Sequence, residues 1–262
     1  MRHTLTARTL DAIAVHDELA FRDVAVYADL KRILERARYP FLVMSGARTS
    51  RWDRALFMNL TYWGAARGQD VLADASVTAD VVAHVAWHHL AAKAVGSSSM
   101  AAMLLGESIA SAFDLYLVGR LLRQKARSSF LDTQVPAMAD AASAAGMSAR
   151  GFERLLADVA RDPERAFGDL RALLFSVVRA LVRCRDSGGA QRVLDRFEGH
   201  RFAALLHHYE LSNWILFARC HATSRRDAPA LAVDRALGST ELPLEWLTAN
   251  WVTPALKKRL AA

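Results

Sequence analysis

The stretch Thr78-Ala-Asp-Val-Val-Ala-His84-Val-Ala-Trp-His88-His89-Leu-Ala-Ala-Lys-Ala-Val95 decides the fold. It contains no glycine or proline. Its apolar residues recur at intervals of three and four, the period of a helix and not of a strand. Outward from it, the same period runs through most of the 262-residue chain. Ala and Leu dominate, β-branched residues are scattered rather than alternating, and there is no Asn-Gly or Asp-Gly hairpin turn. The pattern predicts helices near 7–19, 23–38, 50–65, 78–95, 98–124, 136–145, 148–161, 163–185, 189–197 and 200–221, then a short-helical tail. Pro40, Pro136 and Pro163 fall at or near expected helix ends, where proline is tolerated. Asp162-Pro163-Glu164 reads as a cap, a proline at the first helical position and an acid in the first turn. The expectation is an all-α fold, one compact multi-helix domain over 1–262. Its softest joint is Asp186-Ser187-Gly188-Gly189, near 186–189.

Two polar features interrupt the apolar faces. His84 and His88 are four apart, so a helix sets them one turn apart on one face, with Val81, Val85, Ala92 and Val95. Asp80 continues that row and is placed to hold a ring N–H, as a partner behind a ligand histidine does. The next helix carries its stripe as Met103, Glu107, Ala110, Asp114, Leu117 and Leu121, with two carboxylates inside it. A carboxylate is costly to bury unless paired, protonated or bound to metal. The Gly96-Ser97-Ser98-Ser99 turn makes the two helices antiparallel neighbours. His84, His88 and Glu107 are therefore expected to face one another and hold a divalent metal, with ligand atoms roughly 3–4 Å apart. Two neutral imidazoles and a carboxylate suit Zn²⁺ or Fe²⁺ and leave positions open for water or substrate. Asp114 or Asp80 is expected behind the ligands.

The spacing His84-x3-His88-x18-Glu107 resembles the zinc site of the gluzincin metallopeptidases, with HExxH on one helix and a glutamate ligand on the next. Leu105-Gly106-Glu107-Ser108-Ile109-Ala110-Ser111 is similar to that family's second-helix box. The resemblance covers about 35 residues. It implies zinc at these ligands and hydrolase-like chemistry on a peptide or other small substrate. One position departs from the family: Val85 stands where the glutamate that activates water would be. A valine neither accepts a proton nor hydrogen-bonds, so the ligands carry over and the peptidase base does not. Glu210, His207 and His89 are the candidates to replace it, Glu210 first because burial on an apolar helix would raise its pKa toward neutrality. The same ligand set occurs in non-haem Fe(II) oxygenases, which do not need that base. A non-catalytic helical binding protein of metallopeptidase-like ancestry is the reading from another class.

Other chemistry is excluded or weaker. No Glu has a His three residues later, which removes a ferritin-like di-iron site. G-x-G-x-x-G, the phosphate loop and G-x-S-x-G are absent. His16-Asp17 is similar to the HD phosphohydrolase pair, without evident partners. Cys184 and Cys220 are too few for a disulfide scaffold and read as small buried hydrophobes. At 53% hydrophobic and 23% charged, the chain is neither disordered nor fibrous. Its net charge of +7 is carried almost wholly by Arg. The clusters Arg120-Arg123-Lys125-Arg127, Arg179-Arg183-Arg185 and Arg225-Arg226 are dispersed and lack interleaved aromatics, so a solvated basic surface is expected rather than a nucleic-acid site. No uncharged apolar run reaches the roughly 18 residues of a membrane span. Asp11 and Asp17 interrupt the N-terminus where a signal peptide needs an apolar stretch. A soluble, cytoplasmic protein with no membrane partner is expected.

Overall fold

The computed structural model of the chain describes residues 4–45, 71–72, 74–95 and 99–257. The helix expected at 50–65 lies outside them. The N-terminal part holds strands β1 (Thr4–Arg8), β2 (Ala14–His16), β3 (Phe41–Ser45), β4 (Val71–Leu72) and β5 (Ser76–Thr78), with helices α1 (Glu18–Phe21) and α2 (Tyr27–Arg36) between β2 and β3. The remainder is helical: α3 (Ala79–Val95), α4 (Met100–Gln124), α5 (Ser129–Ala144), α6 (Ala149–Arg161), α7 (Pro163–Leu181) and α8 (Ser187–Asp195). A 3₁₀ stretch, Ala203–Tyr209, precedes α9 (Leu211–His221). Then come α10 (Ala228–Gly238), α11 (Pro243–Leu247), a π-helical turn at Thr248–Val252 and α12 (Thr253–Lys257). The fold is all-α, with two small sheets beside the helices.

The sheets correct the helix expected at 7–19. β1 pairs antiparallel with β3, from Thr4 opposite Ser45 to Arg8 opposite Phe41, and β4 joins β3 in parallel. β2 and β5 form a parallel pair, Ala14 opposite Ser76 to His16 opposite Thr78. Each strand meets a partner more than 25 residues away, so no hairpin turn marks it, and runs of five residues or fewer carry little period of their own.

α4 is the axis of the core. Ser99 caps it, its Oγ accepting from the Ala102 N–H at 3.2 Å, and Lys125 closes it in the left-handed region at φ 53°. α3, α6, α7, α9 and α10 pack around it, so Leu104, Leu105, Ile109, Phe113, Leu117 and Leu121 are buried on several sides. α4 has the length and mean hydropathy (1.4 over 18 residues) of a membrane span, but 83% of that window is buried within the protein, where the core uses it. Gly119 permits the closest approach: a Cβ there would lie 2.6 Å from the Val159 carbonyl oxygen and 3.2 Å from Pro163 Cβ.

α3 runs antiparallel to α4. Going back along α3 from Ala91 through His88 to His84 meets Gly106, Glu107 and then Asp114 going forward along α4. Small residues set the spacing, since a Cβ on Gly106 would touch Ala91 Cβ and His88 Nδ1 at 3.5 Å. Trp87, fully buried, packs edge-on against Phe113 with centroids 5.4 Å apart. α3 is buried well beyond a single stripe, including Val82, Ala83, Val85, Ala86, Leu90 and Ala91, while Ala92 is exposed.

Three local expectations change. Pro136 lies inside α5, because that helix starts at Ser129. It sits on an exposed side, where water can meet the carbonyl that its ring leaves unpaired. The joint at 186–189 is a capped helix start, the Asp186 carboxylate accepting from the Gly189 N–H at 2.7 Å. The helix expected over 200–221 is broken at Glu210, whose φ of 46° is left-handed.

Candidate metal centre

The metal group grows from the α3–α4 pairing. One helical turn brings the His84 and His88 rings to 4.9 Å between centroids and their Nε2 atoms to 3.1 Å. Glu107 enters from α4 with Oε2 3.5 Å from His88 Nε2. One ligand atom from each of the three residues lies within 4.8 Å of the other two. Ligands held about 2.0–2.1 Å from a tetrahedral ion lie about 3.3 Å apart, so these separations suit three donors around one cation. His84, His88 and Glu107 can bind a divalent metal.

The hydrogen bonding points the same way. His84 Nδ1 lies 2.9 Å from Asp114 Oδ2. With the ring N–H donated there, the Nε2 lone pair turns toward His88 and Glu107. His88 Nε2 then faces two acceptors and has one proton to offer. A cation satisfies all three groups together. Burial alone would raise the Glu107 carboxyl, but the charge and hydrogen bond of His88, with His84 behind, outweigh it and hold the group below its ordinary value. Glu107 is thus an anion at neutral pH.

These residues open on a cavity of about 470 Å³. Asp80, Asp114 and Val85 line it from the helix pair, Phe130, Gln134 and Met138 from α5, and His208, Tyr209, Glu210 and Trp214 from the 203–221 segment. Asp114, rather than Asp80, accepts from the His84 ring. Asp80 is pushed up chiefly by burial, and its Oδ1 has no hydrogen-bond partner.

The expected acid–base groups separate. Glu210 does line the cavity, but it is exposed at the break before α9, with Oε2 accepting from Asn213 Nδ2 at 2.7 Å. The burial invoked for it is therefore absent. His207 is exposed and outside the lining. His89 points away, its ring edge-on to Tyr39 with centroids 5.6 Å apart, and burial pushes its pKa down to about 4. The group that sequence reasoning missed is His208. It lines the cavity, and burial lowers its pKa against the opposing pull of Asp114 and Glu210, leaving a neutral imidazole at neutral pH. Within the 3₁₀ stretch 203–209, His208 lines the cavity and His207 is exposed.

The remaining candidates are structural or surface groups. The Asp17 carboxylate accepts from Ser128 Oγ (2.6 Å), Ser129 Oγ (3.1 Å) and the Phe130 N–H (3.3 Å), capping α5 from the end of β2. Cys184 is half-buried, but Cys220 is exposed, contrary to the buried role expected. Compared with known proteins, the chain matches no family model, and no curated protein or solved structure matches it.

Proposed function

We propose that the protein is a metal-dependent enzyme. In this reading His84, His88 and Glu107 hold the ion, zinc first and Fe(II) second, and the reaction is hydrolase-like on a small molecule or peptide in the adjoining cavity. The observation that carries the reading is the convergence of two imidazole nitrogens and a carboxylate oxygen on the wall of that cavity, with Asp114 fixing one ring. A divalent cation there supplies Lewis-acid polarisation of a substrate oxygen and acidifies water. The chain's own residues do the rest. Asp114 orients His84, and Glu107 neutralises part of the ion's charge. His208 and Glu210 are wall groups able to accept or return a proton. The resemblance to gluzincins rests on the ligand spacing and the short run 105–111. Val85 is 1% exposed and offers no base, so the proton-transfer role falls to another element.

The test is activity of zinc- and iron-loaded protein against ester, amide and peptide substrates, compared with Glu107→Gln and His208→Gln. Turnover lost in both variants, with metal retained by His208→Gln, supports the assignment. Stoichiometric metal without turnover on any class would favour the binding-protein reading.

A further inference from the structure

We propose that the cavity beside the histidines takes a small organic cation, an ammonium or alkylated ammonium group. This rests on reading the cavity as the substrate site of the metal group. Its described lining residues include four carboxylates, Asp80, Glu107, Asp114 and Glu210, and neither Lys nor Arg. That is the reverse of the chain as a whole, which carries 34 Lys+Arg against 27 Asp+Glu. A divalent ion between the histidines brings two positive charges to this set of carboxylates. A phosphate or carboxylate ligand would meet repulsion with no guanidinium or ammonium among these residues to hold it.

Two further features of the wall suit a cation. Asp80 Oδ1 and Asp114 Oδ1 are buried acceptors with no hydrogen-bond partner. The wall also presents an aromatic pair, Tyr209 and Trp214, with centroids 6.4 Å apart and planes tilted by 57°. Three aromatic faces elsewhere carry a guanidinium, Arg120 over Tyr116 at 5.9 Å, Arg179 over Phe175 at 5.5 Å and Arg201 over Phe202 at 4.3 Å, whereas Tyr209 meets the His208 ring edge-on at 4.9 Å. Among the described residues no such cation lies over Tyr209 or Trp214. Aromatic faces beside carboxylates in a partly desolvated site are the chemistry that recognises alkylated ammonium groups.

The experiment uses the full chain, metal-free and zinc-loaded, and calorimetric titration with three probes that share a trimethyl head: choline, its uncharged tert-butyl isostere, and the anion pivalate. Choline should bind about tenfold more tightly than the isostere in both forms, and pivalate least well to the metal-free protein. Trp214→Leu and Glu210→Gln should each lower choline affinity about threefold or more and leave the isostere unchanged. Glu210 is exposed, so its variant keeps the fold, and a melting curve checks Trp214→Leu. Equal binding of choline and isostere, or preferred binding of pivalate by the metal-free chain, overturns the inference. Zinc uptake without choline preference removes the ligand class and leaves the metal reading standing. Choline preference without zinc uptake does the opposite.

Discussion

Asp114 is not a ligand in this arrangement, yet its contact of 2.9 Å with Nδ1 sets the His84 ring so that Nε2 faces His88 and Glu107. Asp114→Asn keeps the shape and removes the charge. It should weaken zinc binding about 10–100-fold without unfolding the chain, read by chelator competition. Unchanged affinity would show that the aspartate does not orient the ring. The row of polar positions on α4 made Glu107 and Asp114 legible in the sequence, since carboxylates inside an apolar stripe need a reason to be there. His89 was not legible as a packing residue. It follows His88 directly, but one residue turns a helix by about 100°, and that points it at Tyr39. Its pKa falls from 6.5 to about 4. Below pH 6.5 the unfolded chain takes up a proton that the folded chain refuses until about pH 4, so stability drops as pH falls through that window. Thermal melts between those limits should fall more steeply for the wild type than for His89→Leu, whereas parallel curves would contradict the assignment.

At the scale of elements, α3 and α4 were readable almost to the residue, because both are long, apolar and free of proline, with the Gly96-Ser97-Ser98-Ser99 turn between them. The strands and the 203–221 segment were not. β1 to β5 exist through pairing with distant partners, and the break at Glu210 carries no glycine or proline to announce it. α4 also depends on close approach. Gly119→Ala would put a methyl 2.6 Å from the Val159 carbonyl oxygen, backbone that cannot rotate away. It should cost about 1–3 kcal/mol in denaturant unfolding. Gly106→Ala meets its neighbours at 3.5 Å, an ordinary contact, and should be tolerated. Equal behaviour of the two would mean that the α4 packing is misassigned.

At the scale of the molecule, one buried cluster runs from Leu10 in the N-terminal part to Val252 near the end of the described chain. The composition said nothing of the cavity, since its walls come from α3, α4, α5 and the 203–221 segment, which only tertiary packing brings together. The central claim is that this assembly binds one divalent ion through His84, His88 and Glu107. The most direct measurement is zinc titration of metal-free wild type beside His84→Ala, His88→Ala and Glu107→Gln, with bound zinc counted per chain. The account predicts one zinc per wild-type chain and at least about 100-fold weaker binding in each variant, all three remaining folded. No stoichiometric uptake by the wild type, or uptake that survives in His84→Ala and His88→Ala, would contradict it.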